Sequence, residues 1–310
     1  PVVFEVFVKQ DYLPWIKARR KSFNRVEIIA RRLIAFFGGK LLGEITPEDV
    51  EKFKIERSLE TVGNTGRKVS PREVNYGLQV LKAIFNLSIR FGKVTTNPVK
   101  AVEFNKLNNA RTRYLDIEEI KTLEGVCTGR LTHLKPVIVL ALNTGMRRSE
   151  IFNLRWNDVD HAKGTLRVRE SKSGEGRTIP MNDSVRVSLR ESMSYRAVMS
   201  PGSDYVFCDG TGRPYKAMRN GFDTAVRNAG LEGFRFHDMR HTFASQLVSH
   251  GTDLFVLKEL LGHKTMDMVL RYAHLSPDRG RKAVDSLVAI YGTNLAQSAF
   301  PASAPISKTL

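Results

Sequence analysis

Apolar residues along the first hundred positions recur at helical spacing. Val74, Leu78, Leu81, Phe85 and Ile89 fall on one face of a predicted helix, and Arg72, Lys82 and Arg90 are left for its solvated side. The same segment opens with Ser70-Pro71-Arg72-Glu73, a capping box with proline in the first turn. Gly92 ends it, and Asn97-Pro98 begins an irregular stretch. Upstream, Phe4 to Ile16 and Val26 to Phe37 show a similar period and carry Lys17, Arg19, Arg20, Lys21, Arg31 and Arg32. Thr46-Pro47-Glu48-Asp49 opens another helix, its acidic residues near the positive end of the helix dipole. Residues 1–104 therefore read as a small, basic helical bundle.

Periodicity lapses between Asn105 and Thr112, a polar run that reads as a linker. Beyond it the pattern is mixed. Asp116-Ile117-Glu118-Glu119 starts a helix, and His133 to Leu142 is apolar enough to be a buried one. Thr165 to Arg169 alternates, Ser171 to Gly176 turns, and Arg177 to Pro180 continues, which predicts a hairpin with a long loop. Helical patterning returns after Lys216. The expected fold class is mainly α with a small antiparallel β-sheet, the second domain spanning residues 113–292. From Thr293 the composition turns to Ala, Ser, Pro and Asn, so residues 293–310 read as a flexible tail. No internal repeat is visible.

Charge narrows the partner. Among 310 residues, 49 Lys and Arg stand against 32 Asp and Glu, a net charge of +17. Such an excess on a chain with 42% hydrophobic residues suits a folded protein with a polyanionic partner, nucleic acid first. A charge that serves solubility alone is the plainer alternative. No apolar run approaches the ~18 residues of a membrane span, which excludes integral membrane roles. Cys127 and Cys208 form no C-x-x-C and predict neither a disulfide framework nor a zinc cluster. A reducing cytoplasm, with association to the nucleoid, is the expected location. No signal peptide is apparent. The start at Pro1, without methionine, reads as a processed chain or one cut from something longer.

Four short pieces carry candidate chemistry, each with an ordinary reading beside it. In Thr144-Gly145-Met146-Arg147-Arg148-Ser149-Glu150, a glycine turns the chain after a buried helix, and the next helix starts with Arg147 and Glu150 three apart on one face. Arg147 could grip a phosphate while Glu150 fixes its rotamer; a surface ion pair is the simpler reading. Lys172, in the hairpin turn, could enter a DNA groove and donate a proton, or merely solvate a loop. In Phe236-His237-Asp238-Met239-Arg240-His241-Thr242, His237 and Arg240 share a helical face and suit an anionic transition state. Structural histidines are more usual than functional ones, and His241 falls off that face with no assigned role. Finally, Leu260-Leu261-Gly262-His263 precedes Tyr272 by nine residues, on a helix that Thr265 can cap. A helical tyrosine is usually packing. As a nucleophile it needs cations nearby, because a free phenol titrates near ~10.

The order of these pieces says more than any one of them. Arg-x-x-Glu, a hairpin lysine, His-x-x-Arg, Gly-His and a tyrosine follow a basic helical domain, and in this the chain resembles the tyrosine recombinase (phage integrase) family. The resemblance covers about Arg113 to Asp285 closely and the N-terminal half in general character, and all six motif positions and the supporting glutamate are filled. It implies that Arg147 and Arg240 bind the scissile phosphate, with Glu150 supporting the first. It implies Lys172 as general acid, His237 and His263 as phosphate ligands or proton donors, and Tyr272 as nucleophile. The implied reaction cuts and rejoins double-stranded DNA through a 3′-phosphotyrosine and a four-way junction, without metal, ATP or other cofactor. The N-terminal helices would be a core-DNA-binding domain, clamping the duplex together with the catalytic domain. Four protomers would assemble on two recombination sites, with room for an accessory DNA-bending protein. An apolar segment, Ala283 to Tyr291, could pack on a neighbouring protomer or cap its own domain. Two rivals share much of this pattern: a type IB topoisomerase that relaxes DNA, and a non-catalytic DNA-binding protein.

Overall fold

A computed structural model of the chain describes residues 1–19, 23–63, 66–107, 113–169, 176–200, 202–216, 218–276, 280 and 284–287. The fold is mainly helical with one small antiparallel sheet. The chain divides into two compact units, Pro1–Arg111 and Thr112–Leu310. Among the described residues, no helix is long and apolar enough to cross a membrane.

The first unit is helical throughout its main elements. α1 (Phe4–Phe7) and α2 (Leu13–Lys17) are joined by a widened π-helical turn, Val8–Tyr12. Pro14 lies in the first turn of α2, where its missing N–H costs no helical bond. The predicted helix from Phe4 is therefore one helical run with a change of pitch. α3 (Phe23–Phe37) begins three residues before its periodic pattern does. α4 (Pro47–Leu59) and α5 (Pro71–Arg90) start at the expected boxes. The hydroxyl of Ser70 accepts from the Glu73 N–H at 3.3 Å, and the Glu73 carboxylate accepts from the Ser70 N–H at 3.1 Å. The core is unusually aromatic: Phe37 packs on Phe4 at 5.5 Å between ring centroids and on Phe53 at 5.6 Å. Asn75 of α5 exchanges two 2.8 Å hydrogen bonds with the backbone of Asn105, so the first residue of the polar run is tied to this unit. Residues 108–112 of that run lie outside the described residues.

The second unit packs around α7 (Lys135–Thr144), which is buried along nearly its whole length against α9 (Asp183–Met199) and α11 (Asp238–Ser249). α7 starts two residues later than its apolar pattern suggests. Pro136 fits the first α-helical turn, and Gly129–Leu134 before it is a 3-10 segment. α6 (Ile117–Gly125), α8 (Arg148–Phe152) and α10 (Arg219–Asn228) surround this core. β1 (Val159–Asp160), β2 (Thr165–Val168) and β3 (Arg177–Pro180) form the antiparallel sheet, in that order. Leu166 opposes Ile179 and Val168 opposes Arg177, which sets the predicted hairpin in register. Its loop, including Lys172, lies outside the described residues over 170–175. So do most of Ala283 to Tyr291 and all of the expected tail.

A satellite core joins α11 to α12 (Leu254–Leu261) and α13 (Asp267–Leu270): Phe243, Ala244, Val248, Leu257, Leu261, Val269 and Tyr272. Gly145 lets α7 approach it. At φ +60° it ends α7 in the left-handed region, and an added Cβ would lie 2.4 Å from the Phe243 ring and 2.8 Å from Leu261. Only glycine meets both demands.

Candidate active site

The C-terminus of α12 gathers three arginines from distant parts of the chain. A helix end leaves its last carbonyls without partners inside the helix. Here Gly262, at φ +62°, turns the chain so that the N–H groups of Gly262 and His263 take the Glu259 and Lys258 carbonyls. The next three carbonyls go to guanidiniums. Arg177 Nε donates to Leu260 O at 2.7 Å, Arg240 Nη2 to Leu261 O at 2.5 Å, and Arg147 Nη2 to Gly262 O at 3.3 Å. The negative end of a helix dipole is a favourable place for such a cluster.

Glu150 organises two of the three. Its Oε1 accepts from Arg147 Nη1 at 2.8 Å and from Arg177 Nη1 at 3.1 Å. Its Oε2 accepts from the Arg147 N–H at 2.8 Å and from Arg177 Nη2 at 2.7 Å. Arg147 is the extended cap before α8, not a residue of its face, so Glu150 reaches back to the Arg147 backbone as well as to its guanidinium. Burial would raise the Glu150 pKa, but the hydrogen bonds and charges of Arg177 and Arg147 outweigh it and hold the group down to about 2.

That depressed pKa predicts acid sensitivity. A carboxylate held at about 2 when folded, against an ordinary 4.5, contributes stability that is present above the unfolded value and is lost as pH falls toward 2. The gap corresponds to ~3 kcal/mol. Glu150→Gln should destabilise the protein strongly at pH 7 in urea melts, because two guanidiniums lose their anion. Its deficit relative to the wild type should shrink as pH falls from 5 toward 2; a deficit constant over that range would contradict this account of Glu150.

Arg240 is different. It is only 4% exposed, and its two bonds, to Gly145 O at 2.7 Å and Leu261 O, are to backbone carbonyls. No carboxylate pairs with it among the described residues. Burial, then Arg147 and Arg177, push its pKa down to about 9, which leaves it charged at neutral pH. Among the described residues, the site thus holds a buried cation with no carboxylate paired to it.

The histidines stand around it. His237 immediately precedes α11 without a side-chain cap bond, and its pKa is lowered by burial and by Arg240. His263 follows Gly262; its buried Nδ1 has no hydrogen-bond partner, and burial with Arg240 and Arg147 holds it down to about 3. Tyr272 is 3% exposed and belongs to the satellite core. It does not lie on the expected helix capped by Thr265. α13 is a four-residue helix preceded by Met266, and Tyr272 sits in the turn after it, its N–H donating to Val269 O at 2.9 Å. Burial raises its pKa, while Arg271 and Arg240 pull it back.

The structure brings Arg147, Glu150, Arg240 and His263 together at this helix end, with Tyr272 and His237 within their electrostatic reach. Lys172 lies outside the described residues. Two further residues enter. Arg177, expected only as part of a strand, is the second partner of Glu150. Strand alternation places it on the same face as buried Ile179, and a charge on a core-facing position must find a partner. His241, expected to fall off the His237 face, has its Nδ1 2.5 Å from the Tyr272 hydroxyl. Its spacing is the reason: four residues on from His237 is one helical turn, and the two rings stack edge to face at 5.1 Å. Among the described residues, no group of three His, Cys, Asp or Glu side chains is placed to hold a metal.

The model of the phage integrase family matches residues 113–279, more than half of the chain and all of the site above. The chain belongs to the phage integrase family. It is 33% identical over 227 residues to the integrase of Salmonella phage P22, covering 70% of this chain and 58% of that one. It is 28% identical over 261 residues to the shufflon-specific DNA recombinase of Escherichia coli, covering 84% of this chain and 65% of the relative. The chain therefore spans less than two thirds of the length of these relatives. Its fold is similar to that of one lambda integrase chain in a crystal structure of that integrase as a tetramer bound to a Holliday junction, with a TM-score of 0.68 at 19% identity over 86% of this chain and 78% of that one.

Proposed function

We propose that this chain is a site-specific DNA recombinase that cuts and rejoins strands through a phosphotyrosine. The observation that carries the reading is the buried, anion-free guanidinium of Arg240, bonded to the backbone of Leu261, whose side chain packs in the same small core as Tyr272. A phosphodiester supplies the missing anion. The Tyr272 oxygen attacks its phosphorus, forming a 3′-phosphotyrosine and expelling the 5′ oxygen. Arg147 and Arg240 hold the nonbridging oxygens as negative charge builds on them, and Glu150 keeps Arg147 in place. His237 and His263 supply further donors. Lys172 protonates the leaving 5′ oxygen, which is too basic to depart alone. The phosphotyrosine keeps the energy of the broken bond, so rejoining to a new strand needs no nucleotide triphosphate.

The net charge of +17 supports a double-stranded DNA partner, most of it for phosphate contacts that set affinity and salt dependence without reading sequence. Under this reading residues 1–104 form the core-DNA-binding domain, 105–112 the linker and 113–292 the catalytic domain. The lambda integrase assembly supports a homotetramer acting on two sites through a four-way junction; an accessory DNA-bending protein completes the proposed complex.

The test is a library of nicked duplexes randomised around the nick, in which a cleaved strand loses its short end and the protein stays attached. Covalent adducts should form in excess EDTA, share a sequence motif, and carry the DNA on a Tyr272 peptide. Absence of any adduct would leave a DNA-binding protein only. Adducts without a motif, with relaxation of supercoiled plasmid and no recombinant product, would indicate topoisomerase activity. Loss of cleavage in EDTA would require a metal.

A further inference from the structure

The proposed reaction leaves one proton unassigned, that of the attacking phenol. We propose that His241 accepts it, acting as the general base toward Tyr272 in strand cleavage and returning the proton when the strand is rejoined. This rests on the recombinase reading above and adds a residue to it.

Among the described residues, the side chain bonded to the Tyr272 hydroxyl is His241, through Nδ1 at 2.5 Å. A general base must reach the proton it removes, and this contact is already at hydrogen-bond length without substrate. The two rings lie 5.9 Å apart between centroids, in a partly buried setting that fixes both. His241 is held from one side by α11, which is anchored through Thr242: its hydroxyl donates to Asp238 O at 3.0 Å and accepts from the Leu115 N–H at 3.0 Å. The phenol ring packs in the same small core as Leu261, Val269 and Phe243. Neither partner needs to move far to exchange a proton.

The charge states agree with that direction of transfer. Burial, then the charge of His237 and Arg271, hold the His241 pKa down to about 4, Asp238 opposing and Arg240 adding a little. The imidazole is therefore neutral at pH 7, with one bare nitrogen. Burial raises the Tyr272 pKa, so the phenol keeps its proton and needs help to lose it. With the imidazole proton on Nε2, the phenol donates to Nδ1. A base held near 4 is weak in the free protein, but an incoming phosphodiester places negative charge beside Arg240 and relieves part of that repulsion.

The Tyr272 oxygen bonds to phosphorus, its proton passes to His241 Nδ1, the bond from phosphorus to the 5′ oxygen breaks, and Lys172 protonates that oxygen. Rejoining runs the same transfers backwards. His237, whose ring touches His241 but is not bonded to the phenol, is left free for the phosphate.

The test uses the nicked duplex recovered above, in single-turnover cleavage by the full chain. His241→Ala should cleave at least ~100-fold more slowly, the usual size of a general-base contribution. His241→Gln keeps an oxygen that can hold the phenol but cannot take its proton, and it should be equally slow. Placing 3,5-difluorotyrosine at position 272 lowers the phenol pKa, and it should recover at least ~10-fold of the His241→Ala loss. It should not rescue His237→Ala in the same way. Melting temperature and DNA binding of each variant check that it folds. His241→Gln at the wild-type rate would reduce His241 to orienting the phenol and overturn the proposal. So would His241→Ala cleaving within ~3-fold of the wild type, or a loss that fluorination leaves untouched. A wild-type protein that forms no adduct at all would overturn the recombinase reading itself, a result distinct from any of these.

Discussion

Tyr272→Phe is expected to eliminate the covalent protein–DNA adduct while leaving the fold and DNA binding intact. The substitution removes a single oxygen. The ring that remains fills the same place among Phe243, Leu257, Leu261 and Val269, so the satellite core keeps its packing. What is lost in stability is the hydrogen bond to His241, about 1 kcal/mol on balance. What is lost in chemistry is the only atom of that side chain able to attack phosphorus. The variant should bind the recovered duplex with wild-type affinity and melt within a few degrees of the wild type, yet yield no adduct on denaturing gels. Adduct formation by the Phe variant would place the nucleophile on another residue and remove the reason for reading this helix end as an active site. Weakened DNA binding in the variant would instead show that the phenol works as a packing or contact group.

The local parts of this molecule could be read from its sequence, and the long-range parts could not. The capping boxes at Ser70–Glu73 and Thr46–Asp49 involve residues three apart, and both helices start where those residues predict. The alternation that predicts the hairpin strands agrees with the observed pairing of Leu166 with Ile179, both buried. By contrast, Arg177 meets Glu150 across 27 positions and Leu260 across 83, and Arg240 meets Gly145 across 95. A sequence shows which residue types are present but not which carbonyl a guanidinium will find. Tyr272 lies off the helix that its sequence predicts for a related reason. A four-residue helix such as α13 has too few positions to show a period, and tertiary packing of Val269 and Tyr272, not propensity, holds it. His241 was within reach of the sequence. Its spacing from His237 obeys the same one-turn rule that picked out Arg240, but no residue near it hinted that Tyr272 would come to rest against its ring.

Arg240 yields the second large effect, and it separates function from stability. Its guanidinium is buried beside two other arginines and is held by carbonyls alone, an arrangement that costs the free protein something. Replacing a poorly compensated buried charge with an apolar side chain of similar length is often neutral or stabilising. Arg240→Met should therefore melt at or above the wild-type temperature, while its single-turnover cleavage falls by at least ~100-fold, the cost of removing one fixed donor to a developing anion. Arg240→Lys keeps the charge but lacks the planar fork that reaches Gly145 and Leu261 together, so it should lose most of the activity as well. Bound DNA should raise the melting temperature of the wild type more than that of Arg240→Met, because only the wild type gains the missing anion. If Arg240→Met proved much less stable than the wild type, its carbonyl bonds would be its main purpose and the site would not be poised for a phosphate. If it remained stable and cleaved within tenfold of the wild-type rate, as a loss of under ~1.4 kcal/mol would allow, Arg240 would not hold the charge that develops on the reacting phosphate.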